Sequence, residues 1–130
     1  METFSIPLDY LNTVPWGTIV VKMDSLDLNH KIVYVNNRFM DEIGYSTEEI
    51  PDKDTWWRIA YPDESYRLVV TRLWELAVQE TQEKQAQFVS VDAIIQTKMR
   101  GQLKYRVMAD TKEYYQGGYY AVQFMRLDRA

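Results

Sequence analysis

The sequence contains no cysteine and only one histidine, His30. The first absence excludes disulfides, thiolate metal sites, cysteine nucleophiles and cysteinyl photoadducts together. The second leaves one imidazole for any histidine-based chemistry. Five glycines and four prolines in 130 residues are too few for a disordered linker. No apolar run approaches the roughly 20 residues that cross a bilayer, and the opening METFSIPLDYL lacks the basic and apolar regions of a signal peptide. A cytoplasmic location without a membrane partner is the expectation. The net charge is −4, with basic residues scattered among acidic ones, so the clustered cations that bind phosphate backbones are missing and no nucleic-acid partner is expected. Nucleophile elbow, glycine-rich phosphate loop and histidine triad are absent as well. The adjacent carboxylates Glu48 and Glu49, and Asp63 and Glu64, cannot face one another on a helix. They sit instead near helix starts, where negative charge is favourable. The chain reads as one domain without catalysis of its own.

What is present is a clear succession of periods. Thr18 to Met23 and Lys31 to Val35 are rich in β-branched residues and read as two strands of a hairpin, joined by the polar stretch Asp24 to His30. From Asn36 the spacing becomes helical through Phe39, Met40 and Ile43, with Gly44 at the place of a helix C-cap. Ser46 and Glu49 have capping-box spacing and predict a brief helix ended by Pro51. Asp54 or Thr55 is expected to cap a further turn through Trp56, Trp57 and Ile59. After Asp63, a good N-cap, Tyr66, Val69, Val70, Leu73, Trp74, Ala77 and Val78 predict a long amphipathic helix. Three runs of alternating apolar residues follow: Val89 to Gln96, Leu103 to Ala109 and Tyr120 to Phe124, with turns at Arg100–Gly101 and Gly117–Gly118. The order predicts an α+β domain, an antiparallel sheet with its helices on one face.

The run KIVYVNNRFMDEIGYSTEEI, from Lys31 to Ile50, resembles the signature of PAS domains, and TWWRIAYPDESYR, from Thr55 to Arg67, resembles the family segment that opens the long helix. The likeness covers about Thr18 to Leu127. It implies an N-terminal cap over residues 1–17 and a sensor domain over residues 18–127. It further implies a five-stranded sheet in the order 2-1-5-4-3, and an internal pocket that holds flavin, haem, a small metabolite or nothing. The family's role would be sensing in bacterial two-component or cyclic-dinucleotide signalling, with a kinase or diguanylate cyclase as output and a homodimer as the usual assembly. The closing Asp-Ile-Thr triplet of many members is absent, Met125, Arg126, Leu127 and Asp128 standing there instead.

Under this resemblance the pocket candidates are Phe39 and Trp57 from the short helices, Tyr66, Val69 and Leu73 from the long one, and Val91, Tyr105 and Val122 from the sheet. All are also natural core residues; Tyr66 and Tyr105 stand out because a buried phenol needs a partner. A cofactor is not identified. Cysteinyl-adduct flavin chemistry is excluded by the missing thiol. A flavin held for redox sensing would draw on Trp57, Tyr105 and Asn37. Haem would most simply need an imidazole, and His30 is expected in a solvated turn. Asp24, Asp27, Asn29 and His30 do not have the spacing of a calcium loop, so no metal is expected. Two functions remain: a small-molecule sensor, or a ligand-free dimerisation module pairing through Ile6, Leu8, Tyr10 and Leu11 of the cap.

Overall fold

A computed structural model describes residues 7–24, 27–110 and 118–127. A short 3-10 helix, Leu8–Thr13, precedes strands β1 (Gly17–Asp24) and β2 (Asp27–Val35). Helices α1 (Asn37–Glu42), α2 (Lys53–Ala60) and α3 (Glu64–Glu83) follow. Strands β3 (Phe88–Gln96), β4 (Gln102–Asp110) and β5 (Tyr119–Arg126) complete the chain. The strands form one sheet in the order β2-β1-β5-β4-β3, and every pairing is antiparallel.

The change from sheet to helix is made by Asn36, a fully buried side chain. Its Oδ1 accepts from the Thr18 and Phe39 amides at 2.9 Å each. Its Nδ2 donates to the Leu11 carbonyl at 2.9 Å and the Trp16 carbonyl at 3.2 Å. One amide thus caps α1 and ties the 3-10 helix to β1, with no polar atom left over. At the other end of α1, Gly44 adopts φ 95° and its amide closes on the Phe39 carbonyl at 2.9 Å. A side chain there would be strained by the backbone, and its Cβ would sit 3.0 Å from Lys98 Cβ.

Two details depart from the sequence expectation. Ser46 and Glu49 do exchange the capping-box bonds, Ser46 N to Glu49 Oε1 at 3.0 Å and Glu49 N to Ser46 Oγ at 3.3 Å. They close a single turn rather than open a helix, because Pro51 follows too soon for a second turn to form. The cap of α2 is Asp52, whose Oδ1 accepts from the Thr55 amide at 2.8 Å, two residues before the earlier of the expected positions. Strand β2 sets this start: the Ile32 amide donates to the Pro51 carbonyl at 2.9 Å, and Asn29 Oδ1 accepts from the Asp54 amide at 2.8 Å. The cap of α3 is Asp63 as expected, bonded to the Ser65 amide at 3.0 Å. Gly117 of the last expected turn and Ile6 of the cap lie outside the described residues.

Beneath α1 the core is solid. Phe39, Trp56 and Phe124 meet edge to face or tilted, with centroids 5.4–5.6 Å apart. Tyr45 packs on Trp56 at 6.3 Å and Tyr105 on Phe124 at 6.4 Å. Burial of each large ring is worth about 1.5–3 kcal/mol, and offset or edge contacts add about 0.5–1.5 kcal/mol per pair.

Candidate functional site

The rest of the inner sheet face carries shorter side chains. Val91 and Ala93 on β3, Val107 on β4 and Val122 on β5 line it together with Ile19 and Val21 on β1. Helices α2 and α3 cross this strip without filling it. The result is a cleft of about 770 Å³ between sheet and helices, within the range of small-molecule sites.

Aromatic rings form much of the helical wall. Trp57 on α2 packs against Tyr61 at 5.0 Å between centroids, and both line the cleft with Trp74 of α3. Burial, and secondarily the neighbouring Tyr66, pushes the Tyr61 hydroxyl well above the ordinary phenol range; it is a neutral group at any physiological pH. Tyr120 lines the opposite side, its hydroxyl 2.9 Å from His30 Nδ1.

The polar groups of the lining gather on α2, α3 and β2: Asn29, Lys53, Asp54, Arg67, Thr71 and Glu75. Arg67 is held in place by Nη1 donating to the Tyr61 carbonyl at 2.9 Å, with Nη2 4.0 Å from Glu64. Thr71 spends its hydroxyl on the Arg67 carbonyl at 2.8 Å. Lys53 is half-buried, and desolvation lowers its pKa despite the nearby Asp54 carboxylate.

Of the residues expected to line a ligand pocket, Trp57, Val91 and Val122 border this cleft. Phe39 and Tyr105 are fully buried in the aromatic cluster under α1. Tyr66 lies beside the cleft, where its hydroxyl accepts from the Ile94 amide at 2.8 Å. Val69 and Leu73 face solvent on α3 at 52% and 45% exposure; Leu73 borders a separate shallow groove with Val91. The inward face of α3 is rotated from the expected one and runs through Tyr66, Val70, Trp74, Ala77 and Thr81. Apolar residues surround so much of α3 that their spacing alone does not single out one face: Leu68 and Leu76 are also apolar and also exposed.

The cofactor candidates separate in the same way. Of the three side chains named for a flavin, only Trp57 lines the cleft; Tyr105 reaches toward Glu42 at 3.4 Å, and Asn37 sits exposed at the start of α1 with its amide on Asn12. The three do not border one cleft. His30 is not in a solvated turn. It belongs to β2, is 9% exposed and meets Tyr120. Among the described residues no cluster of His, Asp and Glu has the geometry of a metal site, and no helix is long and apolar enough to cross a membrane.

No protein-family model matches the sequence, and no curated protein does. Solved structures do match. A light-oxygen-voltage domain studied with a flavin analogue superimposes with a TM-score of 0.61 at 15% identity, over 92% of this chain and 82% of that one. The light-oxygen-voltage protein of Rhodobacter sphaeroides gives 0.58 at 12% identity, over 89% of this chain and 62% of that one. This chain thus spans less than two thirds of that protein. A domain of the sensory box sensor histidine kinase/response regulator from Geobacter sulfurreducens gives 0.51 at 16% identity, over 85% and 82% of the two chains. With the strand order β2-β1-β5-β4-β3 and helices α1–α3 laid over the sheet, these superpositions give the chain the PAS fold.

Proposed function

We propose that the chain is a sensory module that binds a small molecule in the cleft and passes its occupancy to a partner or an output domain. The observation that carries this reading is the cleft itself: about 770 Å³ of space over an apolar floor, bordered by a few convergent polar groups. A ligand there would touch α2, α3 and the central strands at once, and so favour one arrangement of helices on sheet over another. The Geobacter neighbour belongs to a sensor histidine kinase, which supports a kinase as output; a diguanylate cyclase fits the same role.

Native mass spectrometry of freshly purified protein, beside its denatured mass and absorption spectrum, tests this reading. A co-purified mass that fits the cleft is the expected result. A bare protein that also binds nothing from a metabolite library would end it.

A second reading, a ligand-free homodimerisation module, is favoured by Leu8 and Tyr10, exposed on the 3-10 helix at 38% and 60%. Leu11, by contrast, is buried, and its carbonyl is bonded to Asn36. Removing the whole cap would therefore unmake the Asn36 site along with any interface, so the pair Leu8→Ser and Tyr10→Ser is the cleaner probe of self-association.

A further inference from the structure

The cleft holds one cation that the fold does not explain. Lys53 is the first residue of α2, directly after the Asp52 cap, where a positive charge opposes the helix macrodipole. Among the described residues its ammonium makes no hydrogen bond and no ion pair within 4 Å, although exposed cations of the chain such as Lys84 and Lys98 find carboxylates at 2.8 Å and 2.6 Å. It is nonetheless half-buried and borders the cleft. A lysine can shed such a desolvation cost by turning to water or to a carboxylate. Here no carboxylate of the described residues bonds to it, and desolvation lowers its pKa.

The neighbouring charges do not neutralise it. Asp54 and Glu75 also border the cleft, but both are exposed to solvent. Arg67, on the facing helix, adds a second half-buried cation whose Nη1 is anchored on the Tyr61 carbonyl. The same lining carries Trp57, Tyr61 and Trp74 from the helices and Val91 and Ala93 from the sheet. A site that combines cations, rings and methyl groups in one lining is complementary to a molecule that carries a single anion on an aromatic body.

We propose that the cleft selects aromatic carboxylates, with Lys53 as the residue that recognises the carboxylate and Arg67 as its second cation. This rests on the sensory reading and names its ligand class. A carboxylate on Lys53 would supply the charge-assisted bond that the ammonium lacks, and the aromatic body would occupy the space between the tryptophans.

The test is calorimetric titration of the whole chain with matched pairs: phenylacetate, indole-3-acetate and naphthalene-2-acetate, each against its neutral amide. The pairs share shape and differ in charge. Carboxylates are expected to bind at least about tenfold more tightly than their amides, the scale of one charge-assisted hydrogen bond. Lys53→Gln should abolish that preference by weakening the carboxylates more than their amides, and Lys53→Arg should keep it. Because the Lys53 ammonium bonds to none of the described residues, neither variant should unfold. If carboxylates and amides bind equally, the anion selectivity is wrong; if the preference survives in Lys53→Gln, Lys53 is not the residue that recognises the carboxylate; the pocket reading stands in both cases. If no member of either series binds, the aromatic ligand class is wrong, and the sensory reading is then decided by the co-purified mass and the metabolite library.

Discussion

Asn36 uses both of its acceptor directions and both of its donor hydrogens, all in a site without water access. Asn36→Ala would leave the Thr18 and Phe39 amides without their partner, each worth about 1–3 kcal/mol, while the Leu11 and Trp16 carbonyls keep one bond each, from the Val14 amide and the Thr18 hydroxyl. A loss of at least about 2 kcal/mol in urea denaturation is expected. Asn36→Asp is the sharper test. A carboxylate keeps the acceptors but cannot donate to Leu11 and Trp16, so the variant should be unstable at neutral pH and recover part of its stability in acid, where the carboxyl carries a proton. Equal stability of Asn36→Asp and the wild type at pH 7 would mean that the donor half of the site is idle. The sequence made Asn36 visible only as the end of a strand and the start of a helix. Its two long-range carbonyls, on Leu11 and Trp16, come from a segment that carries no regular pattern, and no local signal could have named them.

At the scale of elements, α2 depends on a cap that spacing alone misplaces. Asp52 sits beside β2 because Asn29 and Ile32 fix the segment to that strand, and only then does its carboxylate meet the Thr55 amide. That bond, rather than any neighbouring cation, is the main reason its carboxyl titrates below the ordinary range; Arg58 contributes least. The folded value lies below the unfolded one, so the stabilisation is complete above the unfolded value and is lost as pH falls through the folded value. Asp52→Ala should cost about 1 kcal/mol at pH 7, and the difference between variant and wild type should vanish below the folded value; parallel pH-stability curves would contradict this. The displaced cap also explains why Lys53 drew no attention as a site residue. With the cap placed at Asp54 or Thr55, Lys53 is a loop lysine of no interest; with the cap at Asp52 it becomes a cation on the wrong end of a helix. Strands β3 and β4, by contrast, were legible almost residue for residue, since both alternate, and β3 keeps it without interruption: Val89, Val91, Ala93 and Ile95 in, Phe88, Ser90, Asp92 and Ile94 out; in β5 the buried residues are Ala121 and Phe124, three apart, and the expected alternation does not hold.

Across the whole molecule the interior is unevenly filled, and this gives a paired prediction. Ala60 lies in the packed core and Ala93 on the floor of the cleft, both nearly fully buried at 1% and 2% exposure. Ala60→Leu forces added carbon atoms into occupied space and should cost about 1–3 kcal/mol. Ala93→Leu puts them into the cleft and should change thermal stability little, while weakening whatever binds there. Equal destabilisation of both variants would show that the cleft closes in solution. The overall architecture was readable because period, order and turn residues all agree with one sheet and one helical layer. The cleft was not, since Val and Ala at alternating positions describe a buried face equally well whether or not a helix fills the space above it.

One bond at the margin of the sheet links these scales. Strand β3 is an edge, and the Ile94 amide on its free side is covered by the Tyr66 hydroxyl of α3, not by another strand. The bond exists only while α3 lies at its present distance from the sheet. That single amide is therefore a built-in gauge: its rate of deuterium exchange reports how often α3 lifts away, and any molecule that props the cleft open or draws it shut will write its effect there before it reaches the rest of the chain.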